Sequence, residues 1–286
     1  MKKLLLLFCC APFCATAQNF HFATRLGLAG YHGDLKPASR SLSQLHAIGS
    51  IGAQYDLSQH LAARGLVSFT KLRADDKKGD RTMQQRNLNF KSKLWEVEGS
   101  LQYRFFNLNE QWWTPYLTAG LGFYHFNPYT RDIEGTKVLL RPLSTEGEGF
   151  LAGVAPYKRM QLCIPLSVGF EHSLNEDARI GIEAGYRKVF TDYLDDVSTS
   201  YVDETALRNA RGQQAVDFAW RGDEVGTGSY PNAKTARGNS VKDKDGYYYI
   251  AVTFTLRYWF DKYKQMVGLP GSQHDKKVGC PASRVR

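Results

Sequence analysis

The chain has 286 residues, of which 43% are hydrophobic and 13% aromatic, enough for one large domain or two and for either a core or a lipid-facing belt. Its formal net charge of +9 comes from residues scattered along the chain rather than gathered into a basic stripe, so nucleic acid is not an expected partner. No stretch reaches the ~18 consecutive apolar residues of a membrane helix, so any residence in a bilayer has to come from strands.

The N-terminus reads Met1-Lys2-Lys3, an apolar run over 4–13, then Ala15-Thr16-Ala17 before Gln18. A charged start, an apolar stretch and an A-x-A site predict a cleaved secretory signal over 1–17. Cys10 and Cys14 follow Cys9 and Phe13, where lipid attachment would require a small residue. Beyond the signal only Cys163 and Cys280 remain, too few for a disulfide framework, and both are expected as unpaired thiols.

Alternation with period two predicts eight strands in the mature chain, over 20–31, 46–56, 61–72, 90–106, 113–126, 160–172, 178–191 and 246–260. The last is the longest unbroken case. Tyr248, Ile250, Val252, Phe254, Leu256, Tyr258 and Phe260 share one face, while Ala251, Thr253, Thr255 and Arg257 share the other. Strands of this length exceed the roughly 5–6 residues usual in soluble sheets and match the ~9–11 tilted residues that cross a bilayer.

Connections between the strands alternate in length. Short polar turns cover Asp56-Leu57-Ser58-Gln59-His60, Asn107-Leu108-Asn109-Glu110-Gln111 and Ser173-Leu174-Asn175-Glu176-Asp177, whereas the others run over 32–45, 73–89, 127–159 and 192–245. An even strand number with this alternation predicts an all-β fold: an eight-stranded antiparallel up-and-down transmembrane barrel over 18–260, with short periplasmic turns and long extracellular loops. Phe20, Phe22, Tyr55, Tyr103, Phe105, Trp112, Trp113 and Tyr258 to Phe260 then fall at one rim, as an aromatic girdle would. The stretch 211–245 lacks periodicity and is expected to be largely mobile. Residues 261–286 form a basic tail, expected in the periplasm.

A barrel of eight strands has room inside only for side chains. Parity places Arg25, Arg64, Arg104, Arg187 and Arg257 in the lumen with Glu96, Glu98, Glu171 and Glu183, and buried charges of this number have to pair. No catalytic residue, cofactor or metal ligand set is legible. Asp192, Asp195, Asp196, Asp203 and Glu204 are dense in carboxylate but lack EF-hand spacing, so turn capping and ion pairing are the expected roles. His32, His46 and His125 near the long-loop rim have no G-x-S-x-G partner. Gly27, Gly30 and Gly33 lie along a strand, which argues against a nucleotide loop.

Several segments resemble the PorG-like outer-membrane barrels of Bacteroidetes associated with the type IX secretion system. They are Gly30-Tyr31-His32-Gly33-Asp34-Leu35, 87–92 (NLNFKS), 114–117 with 126–128, 142–147 (PLSTEG) and, above all, Phe190-Thr191-Asp192-Tyr193-Leu194-Asp195-Asp196-Val197-Ser198. Many of these residues lie in loops and strand junctions, where a lipid-facing pattern would not dictate them. The resemblance implies an outer-membrane protein that sits among lipid and contacts periplasmic ring components, a lipoprotein and its partner protein, as an accessory to cargo export. It brings no catalytic residues. Two other functions fit a small barrel: a surface enzyme that modifies lipid A through a rim His and Ser, and a surface adhesin that binds through its loops.

Overall fold

The computed structural model describes residues 20–35, 44–238 and 244–257. Ten strands occupy these residues: β1 Phe20–His32, β2 His46–Asp56, β3 Leu61–Asp75, β4 Asn89–Arg104, β5 Trp113–His125, β6 Pro128–Arg131, β7 Lys137–Leu139, β8 Met160–Ser173, β9 Ala178–Val189 and β10 Gly246–Leu256. Eight of them close a barrel. Each is antiparallel to its neighbours in the order β3-β2-β1-β10-β9-β8-β5-β4, and β4 pairs back onto β3. β10 closes onto β1 with Leu26 opposite Val252 and Gly27 opposite Ala251. The short β6 and β7 form a hairpin that extends β4 above the barrel.

The wall follows the alternation of the sequence. Leu26, Phe69, Leu121, Ile182, Ile250 and Val252 point outward and are exposed, Leu26 to 68% and Leu121 to 65%, while Arg25, Ser68, Glu183, Ala251 and Thr253 point inward and are buried. In water such an apolar exterior would be a severe liability; in lipid it is the solvent-matched surface. At the short-turn rim Tyr103 meets Phe105 at 5.5 Å, Phe106 meets Trp113 at 5.1 Å and Trp113 stacks on Phe170 at 5.3 Å between ring centres. Pro165 in β8 has no N–H to give, and the β5–β8 ladder skips from Ala119–Leu166 to Gly122–Cys163 around it.

Many strand ends coincide with the sequence expectation, others differ by one to three residues, and β10 ends at Leu256 where 260 was expected. β3 continues to Asp75, three residues beyond the expected end, because its alternation persists above the apolar band; β4 ends at Arg104, after which Phe105 gives a last N–H to Pro115 O of β5 and Phe106 turns its N–H to the Thr114 hydroxyl. Expectations for residues 1–17, for 258–260, for the tail 261–286 and for Cys280 lie outside the described residues. Among the described residues no helix is long and apolar enough to cross a membrane.

The largest correction concerns 211–245, which is folded where the residues are described. α2 (Glu204–Arg211) and α3 (Gln213–Ala219) pack Leu207, Ala215, Val216, Phe218 and Ala219 into the interior. Two turns of helix are too short to show period 3.6, so the sequence reads as irregular. A further short helix, α1 (Arg81–Arg86), starts at an Asp80 side chain that accepts the Met83 N–H and ends at Asn87 in the left-handed region, φ 54°. Together with the β6–β7 hairpin these elements form a packed cap over the long-loop end.

Candidate functional site

Two regions concentrate polar chemistry: the barrel lumen and the cap that closes it. In the lumen, Glu183 is a hub. Its carboxylate accepts from Arg25 at 3.0 Å, from Arg64 at 2.6 and 3.2 Å, and from the Tyr116 hydroxyl at 2.9 Å, and it also accepts from Tyr249. Glu98 takes Arg25 at 3.3 Å, Arg64 at 3.7 Å and Arg187. Glu96 takes Arg187 at 3.0 Å and the Tyr247 hydroxyl. Toward the short-turn end Arg104 bridges Glu171 at 3.1 Å and Asp56 at 2.9 Å, and Arg179 also holds Asp56 at 2.9 Å.

Arg257 does not join this network among the described residues. Its backbone N–H donates to Asp177 O, one rung past the Leu256–Ala178 pair, and its buried Nε has no hydrogen-bond partner; its charge is felt by His21, which lies beside Asp56. Arg179, Asp56, Tyr116 and Tyr249 take part instead. Arg179 shares the parity of Glu183 along β9, and Tyr249 that of Thr253 along β10, so the same alternation could have located both.

The tyrosines need room. A Cβ at Gly169 would lie 2.2 Å from the Tyr116 ring, so a glycine is what lets that ring lie flat against the wall and reach Glu183. Filled this way, the lumen retains a cavity of about 10 Å³ beside Arg25, Arg64 and Tyr116. That is room for about one water molecule, and the barrel is a plug rather than a channel.

An aromatic ladder leads from the lumen into the cap. Tyr247 meets Tyr124 at 6.3 Å, Tyr124 stacks on Phe126 at 5.7 Å, Phe126 on Tyr157 at 5.8 Å and Tyr157 on Tyr193 at 5.0 Å. Around its upper end the segments 30–35 and 190–198 interlock. The Tyr31 hydroxyl lies 2.7 Å from both Asp195 Oδ2 and Asp245 Oδ1. Asp245 also accepts the Leu194 N–H at 2.8 Å, and Asp195 that of Val197 at 2.9 Å. A Cβ on Gly33 would fall 1.8 Å from the Tyr31 hydroxyl and 1.9 Å from Asp245 Oδ1, so the motif glycine holds open the space in which this contact forms. Asp34, Leu35, Thr191, Asp192, Leu194, Asp195, Asp196, Val197 and Ser198 are buried there, whereas Phe190 is exposed at 54% and Tyr193 is partly buried.

One hydroxyl proton cannot serve two ionised carboxylates, so Tyr31, Asp195 and Asp245 require a proton on one carboxyl. In agreement, burial raises both acids well above the usual carboxylate range, and the charge of Asp245 adds to the effect on Asp195. Asp196 has a backbone φ of 70° and accepts from Tyr157 at 2.6 Å and Thr145 at 3.1 Å. Burial, then the charge of Glu148, push it up to about 8. Beside it Glu146 accepts the N–H groups of Ser198 at 2.9 Å and Thr199 at 2.8 Å and pairs with Arg237 at 3.1 Å, while Arg237 also donates to Asp196 O at 2.7 Å.

The acid-rich segment thus divides by role. Asp203 caps α2 by accepting the Ala206 N–H, Glu204 pairs with Arg208, and Asp192, Asp195 and Asp196 bind hydroxyl and backbone donors within the cap. No metal-holding group of three or more acidic, His or Cys side chains occurs among the described residues. The rim histidines go to separate neighbours: His32 meets Tyr186 edge-on at 6.4 Å, His125 stacks on Trp95 at 5.8 Å, and His46 lies near Arg73, Lys71 and Lys91. Cys163 is buried, its Sγ 3.6 Å from Glu96 Oε2.

A closed eight-stranded barrel with an apolar exterior agrees with the comparison to known families. The sequence model of a family described as outer membrane protein beta-barrel domain matches residues 3–207. The chain belongs to that family. Among solved structures it is similar to Neisserial surface protein A, with 11% identity, a TM-score of 0.40, and coverage of 83% of this chain and 96% of that one. It is also similar to OprG from Pseudomonas aeruginosa, with 11% identity, a TM-score of 0.38, and coverage of 84% and 94%. Ail, the attachment invasion locus protein of Yersinia pestis, solved with the heparin analogue sucrose octasulfate, gives 9% identity, a TM-score of 0.36, and coverage of 83% and 99%. No curated protein matches the chain.

Proposed function

We propose that this outer-membrane barrel is non-enzymatic and serves as an accessory or anchoring component of the type IX protein secretion machinery. Its long loops would face outward, and its short turns and the 261–286 tail would meet ring proteins in the periplasm. The observation that carries the reading is the interlocking of 30–35 with 190–198 through Tyr31, Asp195 and Asp245. Both segments resemble the PorG-like barrels, and their polar groups are spent on building a closed cap. A plugged lumen and a sealed cap leave the exterior wall, the turns and the tail as the surfaces able to meet a partner.

In-cell cross-linking from the short-turn end tests the reading. Recovery of periplasmic ring proteins, together with defective cargo export in a deletion strain, is the expected outcome. Normal export without any ring protein recovered would overturn it. Lipid A from deletion and wild-type cells should give the same mass spectrum, since an enzyme acting on lipid A would leave a mass difference.

A further inference from the structure

β3 and β4 are the longest strands of the barrel, 15 and 16 residues, and their upper ends carry an outward-facing basic cluster. Lys71 stands directly opposite Lys93, and Arg73 directly opposite Lys91. Like charges facing each other across a ladder are destabilising, and an anion lying over Lys71 and Lys93 would relieve the repulsion between them. Successive outward residues are about 7 Å apart along a strand and neighbouring strands about 5 Å apart, so the four cations occupy a patch the size of a phosphorylated sugar. Asp75, next on the same face of β3, accepts the Lys77 N–H at 3.0 Å and borders the cluster with one carboxylate. His46 lies close enough to Arg73, Lys71 and Lys91 for their charges to act on it.

What lies below the cations specifies the ligand further. One step down, Phe69 pairs with Trp95, which stacks on His125, and the next outward pair is Val67 with Val97. A recess of about 540 Å³ between His46, Phe69, Lys71, Lys93 and Trp95 opens at this level. From the cap toward the short turns, the wall therefore presents cations, then aromatics, then aliphatic side chains. A membrane lipid presents a headgroup, an interfacial region and acyl chains in that order.

We propose that this patch is a binding site for a lipid of the outer leaflet whose headgroup bears phosphate groups, with the phosphates held by Lys71, Arg73, Lys91 and Lys93 and the upper acyl chain laid over Phe69 and Trp95. The leaflet rests on the orientation proposed above. A free anion would need neither the aromatic step nor the aliphatic one, and a soluble acidic protein would leave the lipid-facing Phe69, Trp95, Val67 and Val97 unused.

Native mass spectrometry of the purified protein in detergent, with diphosphorylated lipid A as the probe, reads the site. Lipid should be retained by the wild type and bound ~30-fold more weakly by the double variant Lys71→Gln/Lys93→Gln, at about a factor of five per surface cation. Lys188→Gln, at the far side of the same rim, should bind as the wild type does. Without lipid the double variant should unfold at the same temperature as the wild type or higher, because repulsion has been removed; with lipid the order should reverse. Equal binding of lipid A stripped of its phosphates, undiminished binding by the double variant, or full competition by millimolar inorganic phosphate or an acidic peptide would each overturn the proposal. An epitope inserted at Gly226 and labelled on intact cells reads the orientation separately. Absence of labelling would overturn the outer-leaflet assignment whatever the binding in detergent.

Discussion

At the scale of single residues, the cap rests on a few contacts with no substitute. Tyr31 joins two carboxyls from distant parts of the chain, so Tyr31→Phe leaves Asp195 and Asp245 short of a donor in a buried setting, at a cost of about 1–3 kcal/mol. Gly33→Ala should cost a similar ~1–3 kcal/mol by forcing atoms into occupied space, while keeping every polar group. Hydrogen exchange of the cap amides measures both, and unchanged protection in either variant would contradict the packing described. The raised acids add a pH dependence. Asp196 in the folded cap titrates at about 8, above the ~4 of an unfolded aspartate, so the folded form holds the proton longer. Its contribution is fully present below about pH 4 and is lost as pH rises through 8. Exchange normalised for intrinsic rates should show the cap loosening between pH 5 and pH 9, and Asp196→Asn should flatten that slope.

At the scale of elements, β10 shows how one strand meets two solvents. Val252 lies on the lipid face at 49% exposure and Thr253 on the lumen face at 9%. Val252→Arg places a cation in the apolar band and should cost roughly 2–4 kcal/mol near the midplane, read as a lowered urea midpoint for folding into vesicles. Thr253→Arg adds a long cation to a lumen with almost no free volume and should block folding or displace Arg25. Similar effects of the two changes would mean that the faces are misassigned. This division was legible in the sequence because a strand between lipid and a charged lumen alternates in side-chain character through the span that lipid surrounds. The cap was not legible for the converse reason. Its helices span six to eight residues and bury Leu207, Val216 and Phe218 against loops rather than against a regular surface, so no period develops. The knot of Tyr31, Asp195 and Asp245 joins residues 164 and 214 positions apart, a proximity that only the folded chain creates. Of the knot, Tyr31 and Asp195 were marked by the resemblance, Asp195 also by the density of carboxylates around it, whereas Asp245 was marked by neither, and nothing in the spacing announced their contacts.

At the scale of the whole molecule, the lumen network decides whether the barrel is a solid anchor or a conduit. From β9, Glu183 neutralises Arg25 two strands away on β1 and Arg64 across the lumen on β3, and its oxygens also accept from Tyr116 and Tyr249. A buried ion pair contributes little beyond an apolar core of equal shape, yet removing one partner leaves the others charged and dry. Glu183→Gln keeps the volume and some hydrogen bonding but leaves Arg25 and Arg64 to share Glu98 with Arg187, one buried positive charge in excess, so about 3–5 kcal/mol should be lost in urea unfolding. The companion measurement is conductance in a planar bilayer. The wild type should show no steady current, because the cavity beside Arg25, Arg64 and Tyr116 holds about one water and the Tyr124–Phe126–Tyr157 stack lies across the way to the cap. Glu183→Gln should stay closed while losing stability, since the tyrosines and arginines that fill the lumen are still present. An open channel in the wild type would refute the plug, and a variant as stable as the wild type would refute the role of Glu183 as the hub. Stability lost without conductance gained is the combined result expected of a barrel whose interior charges serve cohesion rather than transport.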